Sequence, residues 1–548
     1  MDQAVEADWV SRFADEVVEA ARRRGAERVV CASGLSPSGP VHLGNLREVM
    51  TPHLVADEIA RRGVPVEHLI SWDDFDRYRR VPAGVDPSWA EHIGKPLTAV
   101  PAPPGSRYDN WADHFRAPMV AALEQLGVPF RGISQTGMYR SGAYRDQVLL
   151  AMRRRKDIDA ILAKHRTKKP VDDPDGSSAG AAGAEYYPYK PYCTACGRDL
   201  TTITSYDDET TRLSYTCECG HAEEVLLSEF TSGKLVWKVD WPMRWAYEGV
   251  HFEPSGVDHS SPGSSFEVGG RLVGEIFGGE QPIGPMYAFV GITGMAKMSS
   301  SAGAVPTPGD ALSIMEPAVL RWLYARRKPN QSFKIAFDQE IHRLYDEWDS
   351  LTARVAAGTA TAGDRSAHAR SARTAERELP DTERHLAYRT LASVVDITTG
   401  DPEQTLRILR GVDTDLVDLD QVRPRLDLAA TWVEQYMPAD QHTAVRAEPD
   451  RELLAGMDDE QRKMVGLFLD ELSRDWTLDG LTDLVYGVPK DMLGLPRDLK
   501  KPTPELKAAQ RSFFVLLYQL LIGRDTGPRL PTLLLAVGED RVRALLDA

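Results

Sequence analysis

Apolar and polar positions along this chain of 548 residues change period part-way. Up to about residue 165, short apolar runs such as Arg28-Val29-Val30-Cys31-Ala32 and Val66-Glu67-His68-Leu69-Ile70-Ser71-Trp72 alternate with longer amphipathic stretches, which predicts alternating strands and helices around a parallel sheet. Lys168-Lys169-Pro170 to Ala184, rich in Gly, Ala, Asp and Ser, reads as a flexible link. The sheet is expected to resume around Leu235 and to end beyond Ser301. Helical patterns begin near Ala311-Leu312-Ser313-Ile314-Met315, with Trp322 to Lys328 read as a basic surface. Ala353 to Arg377, a run of Ala, Thr, Arg and Gly, reads as a solvated helix or mobile connection. From Asp381 on nearly every segment has helical period, as in Leu453 to Trp476 and Leu506 to Leu521, and no repeat is apparent.

The first apolar run leads into Ser33-Gly34-Leu35-Ser36-Pro37-Ser38-Gly39-Pro40-Val41-His42-Leu43-Gly44-Asn45. A strand, a glycine-rich turn and a helix start gather free backbone N–H groups and a positive dipole end, where a polyphosphate can lie. His42 and Asn45, on the first helical turn, would face the same phosphates. Alone this is a weak signal. A second element, Gly294-Met295-Ala296-Lys297-Met298-Ser299-Ser300-Ser301, places one lysine before a run of hydroxyls, which suits an ammonium closing over transferring phosphates.

Four of the five cysteines form Cys193-Thr194-Ala195-Cys196 and Cys217-Glu218-Cys219. Two such pairs can close a tetrahedral zinc site of structural type, with His221 as an alternative fourth ligand. Cys31 reads as a core hydrophobe. Asp73 and Asp74 follow the strand ending at Trp72, at the carboxyl edge where open α/β sheets bind ligands, and suit a cationic substrate. Equally, either could cap the next helix or pair with Arg77, Arg79 or Arg80. Trp237, Trp241 and Trp245 supply rigid aromatics, and Tyr287 is either a substrate contact or an exposed phenol on a core strand.

HLGN early and KMSSS late resemble the HIGH and KMSKS signatures of class I aminoacyl-tRNA synthetases. With SWDDFDRYRRVP, VDWPMRW, the four-cysteine segment and the C-terminal Arg511 to Leu530 region, the whole chain resembles the class I lysyl-tRNA synthetase family. Ser300 stands where the family pattern has its second lysine, so Lys297 would carry that charge alone. Pro103-Pro104-Gly105-Ser106-Arg107 lacks the further Cys/His cluster of some relatives. The resemblance implies a Rossmann-like catalytic domain over 1–310 with a zinc-ribbon insertion at 185–225, a helical connecting region at 311–380 that contacts the tRNA stem, and an all-α anticodon-binding bundle at 381–548.

By the same resemblance, catalysis falls to His42, Asn45 and Lys297. ATP would be held by Ser38, Gly44, Gly256, Asp258, His259, Met298, Ser299, Ser300 and Ser301, and lysine by Gly34, Ser36, Trp237 or Trp241, His259 and Tyr287, to which the strand-end reading adds Asp73 and Asp74. ATP with Mg²⁺ would activate L-lysine to lysyl-adenylate, for transfer to the terminal adenosine of tRNA(Lys). Alternatives stay open: a glutamyl or arginyl specificity, a small-molecule nucleotidyl transferase, or a non-catalytic tRNA-binding paralogue.

A formal net charge of -16 does not exclude an RNA partner, because local basic contacts govern phosphate binding. The chain has no apolar span of membrane length and its N-terminus lacks a signal-peptide pattern, so a cytoplasmic monomer that binds neither membrane nor DNA is expected.

Overall fold

The computed structural model describes residues 8–164, 185–260, 264–293 and 305–547. They fall into two compact units: 1–312 with 317–335 and 355–379, and 313–316 with 336–354 and 380–548.

The first unit is built on a parallel sheet of order β1 (Val29–Leu35), β2 (Val66–Trp72), β3 (Arg131–Ser134). Both central strands are largely buried, which is why they read as near-continuous apolar runs. Helix α1 (Trp9–Arg23) packs against α2 (Leu43–Arg61), which follows β1, and α3 (Trp111–Gln125) precedes β3. On its other edge β1 is bridged in parallel by Phe252, and Phe252 by Ile283. The return of the sheet therefore differs from the expectation. Gly233–Leu235 pairs antiparallel with Tyr189–Pro191, outside the main sheet, and runs straight into helix Trp237–Glu248.

The four-cysteine segment forms a three-stranded antiparallel sheet of Thr201–Tyr206, Arg212–Cys217 and Ala222–Leu226. It docks on the segment after β2: the Tyr192 hydroxyl donates to Phe75 O at 2.6 Å and Asp199 N–H to Gly94 O at 2.8 Å.

Two surface expectations are corrected. Helix Pro317–Ala325 is buried throughout its second half and first turn alike, from Ala318 to Ala325. Within the run, Trp322 to Ala325 are core, whereas Arg326 and Arg327 are half-buried and Lys328 is exposed, so only the basic end lies at the surface. Arg321, just before the run, is fully buried, donating to Leu126 O at 2.7 Å and Arg370 O at 2.8 Å. The low-complexity run contains helix Ala362–Ala372, which buries one face through Ala367, Arg370 and Ser371 and leaves Gly363, Arg365 and Ala369 in solvent. Its Arg370 is buried against Asp8, Glu58 and the Ser11 hydroxyl. Composition could not disclose that pairing, because the partners lie at the opposite end of the unit's sequence.

The second unit is helical. Leu506 to Leu521 lies within helix Pro504–Ile522, whereas Leu453 to Trp476 holds Arg451–Gly456 and Asp459–Glu471, the latter capped by Asp458. At its core the fully buried Arg425 pairs with Glu316 at 3.1 Å and Asp349 at 2.9 Å. Among the described residues no helix is long and apolar enough to cross a membrane.

Candidate active site

The turn after β1 opens into a cleft of about 960 Å³ at the carboxyl edge of the sheet. His42 is the N-cap of α2. Its Nδ1 accepts the Gly44 N–H at 3.0 Å, while Asn45 Oδ1 accepts the His42 N–H at 3.2 Å, a reciprocal capping box. The remaining first-turn amides are also used: Leu43 N–H donates to Pro306 O at 3.1 Å and Asn45 N–H to His42 O at 2.9 Å. The expected array of free amides over 43–45 is thus absent. The cap instead consumes the acceptor atom of each side chain. With Nδ1 accepting, the neutral ring carries its proton on Nε2, and Asn45 keeps Nδ2, so both present donors. Burial lowers the His42 pKa, which favours that neutral form.

Behind this turn lies Glu48, one turn beyond Asn45. Its Oε1 accepts the Gly34 N–H at 3.3 Å and its Oε2 the Tyr287 hydroxyl at 3.1 Å. Burial, and then the nearby Glu253, push the Glu48 carboxyl up to about 8. Glu253 is fixed by two indoles, accepting from Trp241 Nε1 at 3.0 Å and Trp245 Nε1 at 2.6 Å. Trp237 stacks on Trp241 with ring centroids 5.3 Å apart, and His259 sits at 6.0 Å from Trp241. Tyr287 pairs with Gly256 in a short parallel ladder, and its ring lies 3.5 Å from where a Cβ on Gly256 would stand. Glycine there lets the phenol approach.

A buried charge cluster forms the next wall. Arg244 lies 2.8 Å from Asp73 and 2.5 Å from Asp240, and Lys234 pairs with Asp76 and lies 3.7 Å from Asp240. Burial pushes Asp73 up to about 7 against the pull of Arg244. Three carboxyl groups face two cations. Asp74 is not part of this wall. It accepts from Ser134 Oγ at 2.6 Å and Thr136 N–H at 2.8 Å and lies 3.6 Å from Arg116, away from the cleft lining. Asp74 is thus held by the start of helix Gln135–Arg140 and by Arg116, rather than capping the helix that follows it or pairing with Arg77, Arg79 or Arg80.

Gly34, Ser36, Ser38, His42, Gly44, Asn45, Asp73, Trp237, Trp241, Gly256, Asp258, His259 and Tyr287 are brought together around the one cleft. Lys297, Met298, Ser299, Ser300 and Ser301 lie outside the described residues. Glu48, Lys234, Arg244 and Glu253 were missed by sequence reasoning, whereas Asp76 belongs to the acidic run after Trp72 that reads as suited to a cationic substrate. Only Glu48 carried a signal, its i+3 spacing from Asn45 on one helical face. The others reach the cleft through tertiary packing alone.

The sulfurs of Cys193, Cys196, Cys217 and Cys219 lie within 4.8 Å of one another, with 193–219 at 3.8 Å and 196–217 at 3.7 Å. Tetrahedral zinc–thiolate bonds near 2.3 Å place sulfurs about 3.8 Å apart, so the four fit the ion. His221 is outside the set, its Nε2 facing Thr194 Oγ1 at 3.2 Å and Glu223 at 3.3 Å.

A parallel sheet with a ligand-sized cleft at its carboxyl edge, entered by a capped strand-to-helix turn, defines an α/β protein of the ligand-binding doubly wound kind. A family model described as class I (K) tRNA synthetases matches residues 7–378, and the chain belongs to that family. It is 65% identical to a lysine–tRNA ligase of Streptomyces coelicolor over 98% of both chains. It is 33% identical to a lysine–tRNA ligase of Thermococcus kodakarensis, covering 97% of this chain and 98% of that one. A solved glutamate tRNA ligase from Elizabethkingia meningosepticum aligns with 95% of this chain and 99% of that chain at 12% identity and a TM-score of 0.43.

Proposed function

We propose that this protein is a lysine–tRNA ligase that activates L-lysine with ATP and transfers it to the terminal adenosine of tRNA(Lys). The observation that carries the choice of amino acid is the placement of half-buried Glu48, with Tyr287, beside a second group of carboxyls in the same cleft. A substrate with two ammonium groups matches such a lining. A glutamate side chain would instead need a guanidinium turned towards it; of those lining the cleft, Arg244 is held by Asp73 and Asp240, and Arg77 lies 3.5 Å from Asp199.

In this reading Glu48 takes the side-chain ammonium, and Trp237 and Trp241 flank the aliphatic stem. The lysine carboxylate attacks the α-phosphorus of ATP, the bond to pyrophosphate breaks, and negative charge grows on the phosphoryl oxygens. His42 Nε2–H and Asn45 Nδ2–H, aimed by the capping box, donate to those oxygens, with Lys297 adding a cation from the later motif. Asp258 and His259, with Gly256, hold the nucleoside. Ser38 and the Ser299–Ser301 hydroxyls supply further contacts. Mg²⁺ would enter bound to the ATP phosphates, offsetting their charge. Zinc held by the four cysteines would be structural, because four protein ligands leave no open position.

Residues 1–310 form the catalytic domain in this assignment, 311–380 contact the tRNA stem, and 381–548 read the anticodon. The same reading makes the protein a cytoplasmic monomer, which light scattering after gel filtration tests. ATP–pyrophosphate exchange across all amino acids, with and without total tRNA, tests the activity. Exchange with lysine alone is expected. Exchange with another amino acid would overturn the specificity, and none with tRNA present would favour the non-catalytic paralogue.

A further inference from the structure

Arg47 precedes Glu48 on α2 and is buried, yet no carboxylate among the described residues pairs with it. A buried cation without a counter-charge is costly unless its donors are otherwise used. Here one NH2 group bridges two main-chain carbonyls, Lys328 O at 2.8 Å and Pro329 O at 2.7 Å, while NH1 has no hydrogen-bond partner. The guanidinium also lies over the Phe333 ring, 5.1 Å from its centroid.

The carbonyl it holds has a second donor. Ala288 N–H reaches Pro329 O at 2.8 Å, and Ala288 follows Tyr287, whose hydroxyl bonds to Glu48. Phe333 in turn pairs with Val290 in the parallel ladder of Val290–Ile292 with Phe333–Ile335. Two consecutive residues of α2 therefore grip the Met286–Ile292 segment at two places, Glu48 through the phenol and Arg47 through Pro329 and Phe333.

We propose that Arg47 is a positioning residue for the amino-acid site, setting the segment that presents Tyr287 to Glu48. This rests on Glu48 and Tyr287 being the lysine-binding pair. Lysine is a poor replacement: its ammonium can reach the carbonyls, but it lacks the planar guanidinium that lies over the Phe333 ring at the same time.

The test measures KM for lysine and for ATP in pyrophosphate exchange for Arg47→Lys, Tyr287→Phe and the double variant, alongside thermal midpoints. Arg47→Lys is expected to raise lysine KM about tenfold with little change in ATP KM, and by less than about threefold when Tyr287 is already Phe. Equal effects in both backgrounds, or a fall in thermal midpoint with unchanged lysine KM, would overturn the proposal. Phe333→Leu, which removes the ring but not the carbonyls, should shift lysine KM in the same direction and decides the matter should Arg47→Lys fail to fold. If Tyr287→Phe and Glu48→Gln both leave lysine KM unaltered, the lysine-site reading itself fails, a result distinct from an inert Arg47.

Discussion

The Tyr287 hydroxyl lies 3.1 Å from Glu48 Oε2 across 239 residues of sequence, joining the helix of the phosphate turn to the strand before the second signature motif. The contact is polar, half-buried and open to the cleft on one side. A carboxyl in that setting is easily protonated while the cleft is empty, and a cation arriving beside it restores its charge.

Lysine binding should therefore release a proton. The Glu48 carboxyl is raised from an ordinary value of 4.5 to about 8, first by burial and then by Glu253, so at pH 7 it is mostly neutral without ligand. A cationic ligand needs the ionised form, so lysine affinity should increase from pH 6 to 8 and then level off. Calorimetry at pH 7 in two buffers of different ionisation enthalpy should register close to one proton released. No buffer dependence would remove Glu48 as the ammonium partner. Glu48→Gln should abolish the pH slope and raise lysine KM by about 10-fold or more.

His42 has separable structural and chemical roles. Its Nδ1 caps α2, and only Nε2 is available to ATP. His42→Ala should lose both, costing about 1 kcal/mol of stability from the cap and about 10²–10³-fold in adenylate formation. His42→Asn keeps a good capping residue, so it should restore the thermal midpoint without restoring exchange. Recovery of exchange along with stability would make His42 purely structural. Affinity for tRNA should hardly move in either variant.

The strand β1, the turn and the helix α2 were legible because an apolar run leads into closely spaced glycines and then a helical pattern; that His42 is the cap of α2 came only from the structure. The terminal bundle was legible from its period. What could not be read is where chains cross. Asp73 and Asp74 diverge in the turn after β2, and only the structure says that Asp73 meets Arg244 while Asp74 meets Ser134. Arg370 looks solvated by composition and is buried through partners far away in sequence. Amides at 43–45 were counted free because the sequence does not reveal Pro306 O beside Leu43.

That divergence of the two aspartates gives a paired prediction. Asp74→Asn weakens its bonds to Ser134 Oγ and Thr136 N–H and should destabilise the protein by about 1–3 kcal/mol, leaving lysine KM unchanged. Asp73→Asn removes one of the carboxyls that oppose Arg244 and Lys234, leaving the wall less negative, and should raise lysine KM about tenfold. Steady-state kinetics with urea unfolding separates the two. A shift of lysine KM in Asp74→Asn would return that residue to the binding site.

Zinc removal should act on one segment. The sheet of Thr201–Leu226 buries few large side chains, so four thiolates held around one ion would supply much of its stability. Zinc analysis should find one ion per chain, and Cys196→Ser should lower that content. Stringent chelation should then expose amides of 201–226 to hydrogen exchange. Because Tyr192 and Asp199 anchor the segment to Phe75 and Gly94, the loop after Asp73 should loosen as well and lysine activation should fall, while ATP binding at the His42 turn persists. Unaltered exchange across 201–226 after complete metal loss would show that the cysteines pack without an ion.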